Sequence, residues 1–482
     1  MPDRDLVERL KQLERRVRRD LDFIEAPLRS WIPERLGPEG SVIHDVVVVG
    51  GGLSGLSIAF ALWRQGVGRV LVIDAAGPGR EGPWVTTARM RTLRSPKTLT
   101  GPDLGIPSLT YRAWHEAVFG EETWSRLDKI DRQHWMQYLM WFRHVTALAV
   151  RNGTELLGID GDRRQLRLHV REGASDSVLH CRKVVLATGI EGAGGAVVPA
   201  IIATALPRDR WTHSSEPFDL TRLGGKEVGV IGAAASSFDW AVGVLEAGAA
   251  SVTLIARATE LPRTEILDWS NFPGFLDHFG DLDDLNRYRF ARRLLAFRTP
   301  PTQEMYDAAH GFPNFRMIAG LPIKAVSYVD GRTILAIEGG ELGFDHLLLG
   351  TGYEVDLARR PELSSLHEHL ALWRDRFQPP PGEEDGPLLQ YPYLGPAFEL
   401  LEKVPGAAPF ARHIHVFNNS AVLSLGPVCN GITGLKSGVR KVVAGITRGL
   451  FADDADQHFR SLDGYSKVHF NPRQSEPSGD KA

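Results

Sequence analysis

The apolar positions of this chain change period several times, and each change marks an element. Leu6, Leu10, Leu13, Val17 and Leu21 recur at steps of three and four between charges, the stripe of an amphipathic helix over residues 1–35. Such a stripe lies against the body of the protein or against a second copy. From Val42 to Val49 the apolar run is almost unbroken, as in a strand buried on both faces of a parallel sheet. A helix over Leu53–Gln65 and a strand over Val70–Ile73, closed by Asp74, complete a β-turn-helix-β unit. Residues 108–149 read as helical and aromatic, with Trp114, Phe119, Trp124, Trp135, Tyr138, Trp141 and Phe142, either core or pocket wall. Residues 151–189 alternate with period two, turn at Gly173 and end in VVLATG at 184–189.

The pattern then repeats. A strand over Val228–Ile231, a helix over Phe238–Glu246 and a strand over Val252–Ile255 form a second unit, followed by a helical insertion at 275–310. A second β-meander, Ile323–Ile337, leads to LLLGTG at 347–352, the counterpart of VVLATG. Matching strings at matching places indicate an internal duplication. Beyond them lie a Pro-rich acidic loop (377–387), a strand (His413–Asn418), the turn SLGPVCNGITG (424–434) and a helix to about 450. The expected fold is α/β, two Rossmann-like dinucleotide-binding domains with the second inserted into a discontinuous first. The expected boundaries are an N-terminal helix 1–40, a first domain 41–215 and 345–470, a second domain 216–344, and a polar tail 471–482.

Each unit carries a phosphate-binding turn. The first is G-x-G-x-x-G at Gly50, Gly52 and Gly55, with Ser54 inside it. Its first glycine makes the tight turn, the second admits a pyrophosphate, and the third lets the helix pack on the sheet. The helix N-terminus supplies free amides and a positive dipole end, and Asp74 is placed to accept ribose hydroxyls. The second turn has Gly232, Ala234, Ser236 and Ser237, with Arg257 at the position of Asp74. A methyl at Ala234 holds a pyrophosphate slightly further off, which suits a cofactor that comes and goes. Arg257 is either a solvated turn residue or the fork that receives a 2′-phosphate, with Arg263 and Arg208 as possible helpers. Two dinucleotides on one chain point to a flavoprotein fed by a nicotinamide, and Arg257 points to NADPH over NADH.

Composition narrows the chemistry. The 482 residues carry a net charge of −3, which gives no electrostatic reason to expect nucleic acid. No apolar run reaches the length of a spanning helix, and the charged N-terminus is unlike a signal peptide, so a cytoplasmic enzyme without a membrane is expected. The two cysteines, Cys181 and Cys429, are far apart, which excludes the C-x-x-C pair of thiol-disulfide reductases. Cys429 reads as an apolar filler more readily than a nucleophile. No metal constellation is expected.

In GGGLSGL (50–56), GPW (82–84), HSS (213–215), VIGAAASSFD (230–239), VTLIAR (252–257) and GTGY (350–353), the chain resembles the class B flavoprotein monooxygenases. These include the flavin-containing, Baeyer–Villiger and N-hydroxylating enzymes. The resemblance spans most of 45–450 and implies FAD in the first site and NADPH in the second. It also implies O2 activation at flavin C4a through a peroxyflavin that bound NADP protects. The expected cofactor set adds Trp84, Thr188, Gly189, Thr351, Gly352 and Asn430. His213 either contacts NADPH or is a structural histidine, and Asn418, Asn419 and Asn430 either meet the flavin edge or make turns. Ser95 stands where flavin-containing monooxygenases often carry an Asn, so Ser95, His213 and Asn418 are the catalytic candidates. Pro207 and Asp209 replace the Phe-x-Gly that precedes the histidine in two subfamilies, and the Baeyer–Villiger stretch after GPW is missing.

The expected reaction is N- or S-oxygenation of a small molecule with O2. Baeyer–Villiger insertion and an FAD-dependent NADPH oxidase or quinone reductase are the alternatives, and a homodimer is possible. The Arg257→Ala enzyme is expected to show a raised KM for NADPH with little change for NADH in steady-state assays. Equal effects on both would remove Arg257 from phosphate recognition.

Overall fold

A computed structural model describes residues 4–37, 40–429 and 431–472 of the chain. The strand Ile43–Val49 runs through the centre of the first sheet, with Val46, Val47 and Val48 fully buried. Cover on both faces is the reason for its unbroken apolar run. Val70–Asp74 and then Val150–Asn152 pair parallel on one side; Ser175–Gly189 and then Ile414–Asn418 pair parallel on the other. Ser175–Gly189 also carries an antiparallel meander of Leu166–Glu172 and Thr154–Gly161.

The second sheet repeats this plan. Glu227–Ile231 lies between Ser251–Ala256 and His346–Leu349, flanked by Phe315–Ala319 and Trp211–His213, all parallel. An antiparallel meander over Ala325–Val329, Arg332–Ile337 and Gly340–Phe344 precedes the returning strand here too. In both sheets the fingerprint strand sits between the next strand and the strand ending in A/G-T-G. The second sheet draws Trp211–His213 from before residue 216 and His346–Leu349 from after 344, so it reaches past both expected boundaries. The two crossings between halves are hydrogen-bonded to each other. Gly194–Ala196 pairs antiparallel with Tyr353–Val355, and the Val197 amide donates to the Gly352 carbonyl at 2.9 Å.

The N-terminal helix spans Arg4–Phe23 and stops well short of residue 35. Pro27 lacks an amide hydrogen and disfavours helical geometry in the residue before it. Leu13, Val17 and Leu21 are buried, and Arg9 Nε donates to the Ala117 carbonyl at 2.8 Å. The stripe therefore faces the body, on the helix Tyr111–Phe119. The aromatic segment continues as Glu121–Arg126 and Arg132–Val145, and Trp114, Trp135, Tyr138 and Phe142 share one core with Val46–Val48. Of its two readings, packed core is the one observed. The insertion helices Pro273–His278 and Asp284–Ala296 pack on the returning part of the first domain, where Phe275, Phe279 and Tyr288 meet Trp373, Val422 and Leu423. Gln303–His310 packs back on the helix Ala235–Glu246 of the second unit. No helix among the described residues is long and apolar enough to cross a membrane.

Three histidines at the sheets are held neutral. Burial lowers the pKa of His346 to about 4, with Arg222 adding to it, and its Nε2 meets Thr212 Oγ1 at 2.9 Å. Burial and then the Lys183 ammonium lower His413 to about 4; Lys183 Nζ donates to its Nδ1 at 2.7 Å, which fixes the proton on Nε2. His415 is lowered by burial to about 3, and its Nδ1 donates to the Ala397 carbonyl at 2.7 Å. A folded pKa below the unfolded value means that unfolding takes up protons as the pH falls below about 6.5. Stability conferred by these groups is full above that pH and declines toward pH 4. Urea midpoints measured between pH 7 and 5 are expected to fall steadily, with more than one proton taken up on unfolding. A flat profile would show that these imidazoles are not buried as neutral bases.

Candidate functional site: two dinucleotide cradles

Both fingerprints turn at a glycine with positive φ, +106° at Gly50 and +121° at Gly232. A Cβ at Gly50 would stand 2.4 Å from the Ala187 carbonyl oxygen, and one at Gly232 would stand 2.5 Å from that of Gly350. Dihedral and space each require glycine. The helices Leu53–Arg64 and Ala235–Glu246 then begin from N-caps of the same extended conformation, Gly52 (φ −75°, ψ −167°) and Ala234 (φ −86°, ψ 179°). Alanine at 234 therefore leaves the backbone of the turn unchanged. Neither N-cap side chain bonds the first-turn amides; those of Leu53 and Ser54 remain as donors in the first helix, whereas in the second the Ser237 amide already donates to the Ala234 carbonyl at 3.0 Å. In the second helix the Ala235 amide is already taken by the Thr299 carbonyl at 3.0 Å, so that N-terminus is the narrower one. Ser54 and Ser236 hold equivalent second positions, both half-buried.

The third position differs between the halves. A Cβ at Gly55 would stand 1.8 Å from the Gly50 carbonyl oxygen, so the first helix rests on its own turn. In the second, Ser237 is fully buried, and room for it comes from across the sheet. Gly350 stands where the first half has Ala187, and a Cβ there would lie 2.2 Å from Ser237 Oγ. The Ser237 hydroxyl has no hydrogen-bond partner among the described residues.

Asp74 ends its strand with Oδ2 accepting from the Gly51 amide at 2.6 Å and Oδ1 from Ala76 at 2.7 Å. Burial raises its pKa and the two amides oppose the shift. Beside it lies a network that the sequence did not reveal. Buried Glu81 accepts from Arg143 Nη1 at 2.9 Å and Asn152 Nδ2 at 2.7 Å, while its Oε2 is buried without a donor. The signal was there only as an acid next to the GPW string. Trp84 packs edge-on to Trp135 at 6.3 Å, with a buried Nε1 that has no acceptor, and its carbonyl accepts from Arg132. Gly82 closes on Gly52, the nearest neighbour of a Cβ placed there, at 3.7 Å.

Arg257 is exposed with no side-chain partner among the described residues, and exposed Arg263 lies in the same loop. Arg208 does not join them. It sits beside the opposite edge strand, bonds the Trp211 carbonyl at 2.9 Å, pairs with Glu216 and lies 4.0 Å over the Trp211 ring. Arg298, exposed and close to Gly352, carries charge to the cleft from a loop whose sequence gave no sign of it.

The remaining candidates have varied places. Asn418 donates to Thr188 Oγ1 at 3.1 Å and the Gly192 carbonyl at 3.0 Å, and accepts from the Ser420 amide and hydroxyl at 2.9 and 2.8 Å. Its amide is thus fully engaged and ties the turn after Gly189 to the last strand, leaving no donor for a flavin edge. Asn419 is half-buried, and Asn430 lies outside the described residues. Thr351 donates to the Val197 carbonyl, locking the crossing at Gly352. His213 is buried at the other crossing. Its Nδ1 accepts from the Ser215 amide at 3.1 Å and meets the Ser215 hydroxyl at 2.9 Å, and burial lowers its pKa. It organises the HSS turn as a neutral imidazole, and the Gly352 backbone beside it opposes the lowering. Ser95 is half-buried and makes no side-chain hydrogen bond, whereas its neighbour Arg94 reaches Asp239 of the second domain. Burial pushes the Cys429 thiol up, which keeps it protonated. No group of three side chains suited to a metal occurs among the described residues.

Two cradles of one geometry, an acid at the first and an arginine at the second, define a flavoprotein oxidoreductase that uses FAD and NADPH. A family model described as FAD-NAD(P)-binding matches residues 47–191, and one described as L-lysine 6-monooxygenase/L-ornithine 5-monooxygenase matches 121–293. The chain is 40% identical over 471 residues to the FAD-dependent urate hydroxylase of Xanthomonas campestris, covering 97% of this chain and 99% of that protein. It resembles the ornithine hydroxylase structure of Pseudomonas aeruginosa (TM-score 0.66, 18% identity, 85% of this chain and 100% of that one). It also resembles the FAD-bound cadaverine monooxygenase of Erwinia amylovora (TM-score 0.64, 14% identity, 92% and 100%). The chain belongs to the class B flavin-dependent monooxygenases, in the family of that urate hydroxylase.

The exchange between Ser237 and Gly350 yields a sharp test. Gly350→Ala is expected to cost about 1–3 kcal/mol by overpacking and to lower NADPH affinity. Adding Ser237→Gly should restore both, read by thermal unfolding and by titration of NADPH. Two additive losses in the double variant would mean that the residues do not share the space.

Proposed function

We propose that this chain is a urate hydroxylase, an FAD- and NADPH-dependent enzyme that places one oxygen atom of O2 on urate or a closely related oxidised purine. The identity of 40% along nearly the whole length of a urate hydroxylase carries this reading. The resemblance to diamine and amino-acid hydroxylases lies at 14–18% and speaks for the fold alone. Arginines Arg89 and Arg132 lend support. They lie close enough to repel, both half-buried; among the described residues their hydrogen-bond acceptors are the carbonyls of Phe218 and Trp84, and the one carboxylate acting on Arg89 is exposed Asp219. Positive charge beside Trp84 suits an acidic heterocycle better than a diamine.

The chain's own residues then take these roles. Amides at Gly52 and Ser54 receive the FAD pyrophosphate, and Asp74 with the free Oε2 of Glu81 accepts ribose hydroxyls. Amides at Ala234 and Ser236 receive the NADPH pyrophosphate, and Arg257 the 2′-phosphate. Trp84, Thr188, Gly189, Thr351 and Gly352 line the cleft between the cradles, with Asn418 and His213 holding its two turns. Bound FAD supplies the transfer of two electrons from NADPH to O2; the protein supplies orientation and a water-poor pocket. Substrate, O2, NADPH and a proton give hydroxylated product, water and NADP+.

N-hydroxylation of an amine is the second reading, favoured by the lysine/ornithine monooxygenase match at 121–293. Purified enzyme with NADPH under 18O2 is expected to consume urate and yield a product with one 18O atom, and to leave ornithine, lysine and cadaverine unchanged. Label in an amine product with none from urate would establish the second reading. NADPH consumption balanced wholly by hydrogen peroxide with every substrate would overturn both.

A further inference from the structure

Between Trp84 and Lys97 the first domain sends a segment of irregular backbone along the helix Ala235–Glu246 of the second domain. It carries Arg89, Arg91 and Arg94, and each finds its partner across the gap. Arg89 donates to the Phe218 carbonyl and lies 4.9 Å over the Trp240 ring. Arg91 pairs with Glu246 and, at 3.2 Å, with Glu304. Arg94 pairs with Asp239 at 2.5 Å. The pairs differ in solvent access: Arg91, Glu246 and Glu304 are exposed, whereas the Asp239 side chain is only 6% accessible. Exposed pairs contribute little, but a buried carboxylate depends on its guanidinium. Asp239 is the fifth residue of the helix whose N-terminus is the second cradle, so its position is coupled rigidly to that of Ala234 and Ser236.

We propose that the Arg94–Asp239 pair sets the angle at which the NADPH-binding domain meets the FAD-binding domain, and that both are positioning residues for flavin reduction. The crossing ribbon at Gly194–Ala196 and Tyr353–Val355 fixes one point of contact between the halves, and the insertion helices on Trp373 and Val422 fix a second. Two points leave a rotation about the line that joins them. The arginine segment supplies the third, on the helix that presents the nicotinamide nucleotide. Its buried charge contact is the hydrogen bond from Arg94 Nη2 to Asp239 Oδ2, a directional contact that defines an orientation more narrowly than apolar packing does.

The test compares Arg94→Ala, Asp239→Asn and the apolar pair Arg94→Leu/Asp239→Leu in the full-length protein. Spin labels at exposed Ser177 and Glu260 report the distance between the domains, with and without cofactors. Stopped-flow mixing with saturating NADPH reports the rate of flavin reduction. Each single variant is expected to broaden the distance distribution and slow reduction by about a hundredfold, with FAD content unchanged, as a displacement of about 1 Å at a reacting centre predicts. The apolar pair should keep its folding stability while remaining slow and broad, because it fills the space without fixing direction. An unchanged distance distribution in Asp239→Asn, or wild-type reduction in the apolar pair, would overturn the proposal. Slowing that tracks thermal stability across the three variants would also overturn it, since the pair would then be structural only.

Discussion

Both cofactor sites rest on one steric fact: a backbone carbonyl of the returning strand occupies the space where a Cβ would stand. The Ala187 carbonyl does this at Gly50 and the Gly350 carbonyl at Gly232. That contact brings the turn down onto the sheet and aims the following helix so that its first amides face outward over the strand ends. What those helices place depends on it: the two outward-facing N-termini, and the positions of Asp74 and Arg257 at the ends of the neighbouring strands. The second half keeps the contact with a changed third residue, because Gly350 gives up the volume that Ser237 takes. The weakened fingerprint is a different solution to the same packing problem.

A duplicated fold creates a second problem, the orientation of one half against the other. The chain crosses between the halves twice, and the crossings are joined by a short ribbon with the Val197–Gly352 hydrogen bond and the Thr351 hydroxyl. His213 at one crossing and Asn418 beside the other turn spend their hydrogen bonds on the backbone around them. Of the two readings open for His213 and Asn418, their hydrogen bonds favour the structural one. Around the ribbon, the insertion helices and the arginine segment reach from one domain to the other.

The fold was legible to the extent that period and glycine spacing report local geometry. Val46–Val48 announced a strand covered on both faces, and VVLATG with LLLGTG announced a repeat of topology. The helix stripe of Leu13, Val17 and Leu21 was visible, but a stripe reports a face and not an end, and the helix stops at Phe23, ahead of Pro27. The turns were legible where backbone geometry decides, at Gly50, Gly52, Gly55 and Gly232. The site was less legible where side chains decide. Arg208 was near Arg257 in type but lies at the opposite edge of the sheet, because strand order is a property of the crossings. Arg94 and Arg298 gave no signal, and Glu81 only its place next to the GPW string, since their partners Asp239, the Gly352 turn and Arg143 are distant in sequence.

The sequence by itself determined the class of fold, the two dinucleotide cradles and the absence of a C-x-x-C redox pair, because each follows from residues close together in the chain. Only the tertiary structure decided which expected residues face the cleft and which brace it, and how the two halves are held. Hydrogen-bond saturation at Asn418, the free oxygen of Glu81 and the pairing of Arg94 with Asp239 are facts of long-range packing. A side chain's role is set by the partners that folding brings to it, and those partners lie tens to hundreds of residues away along the chain.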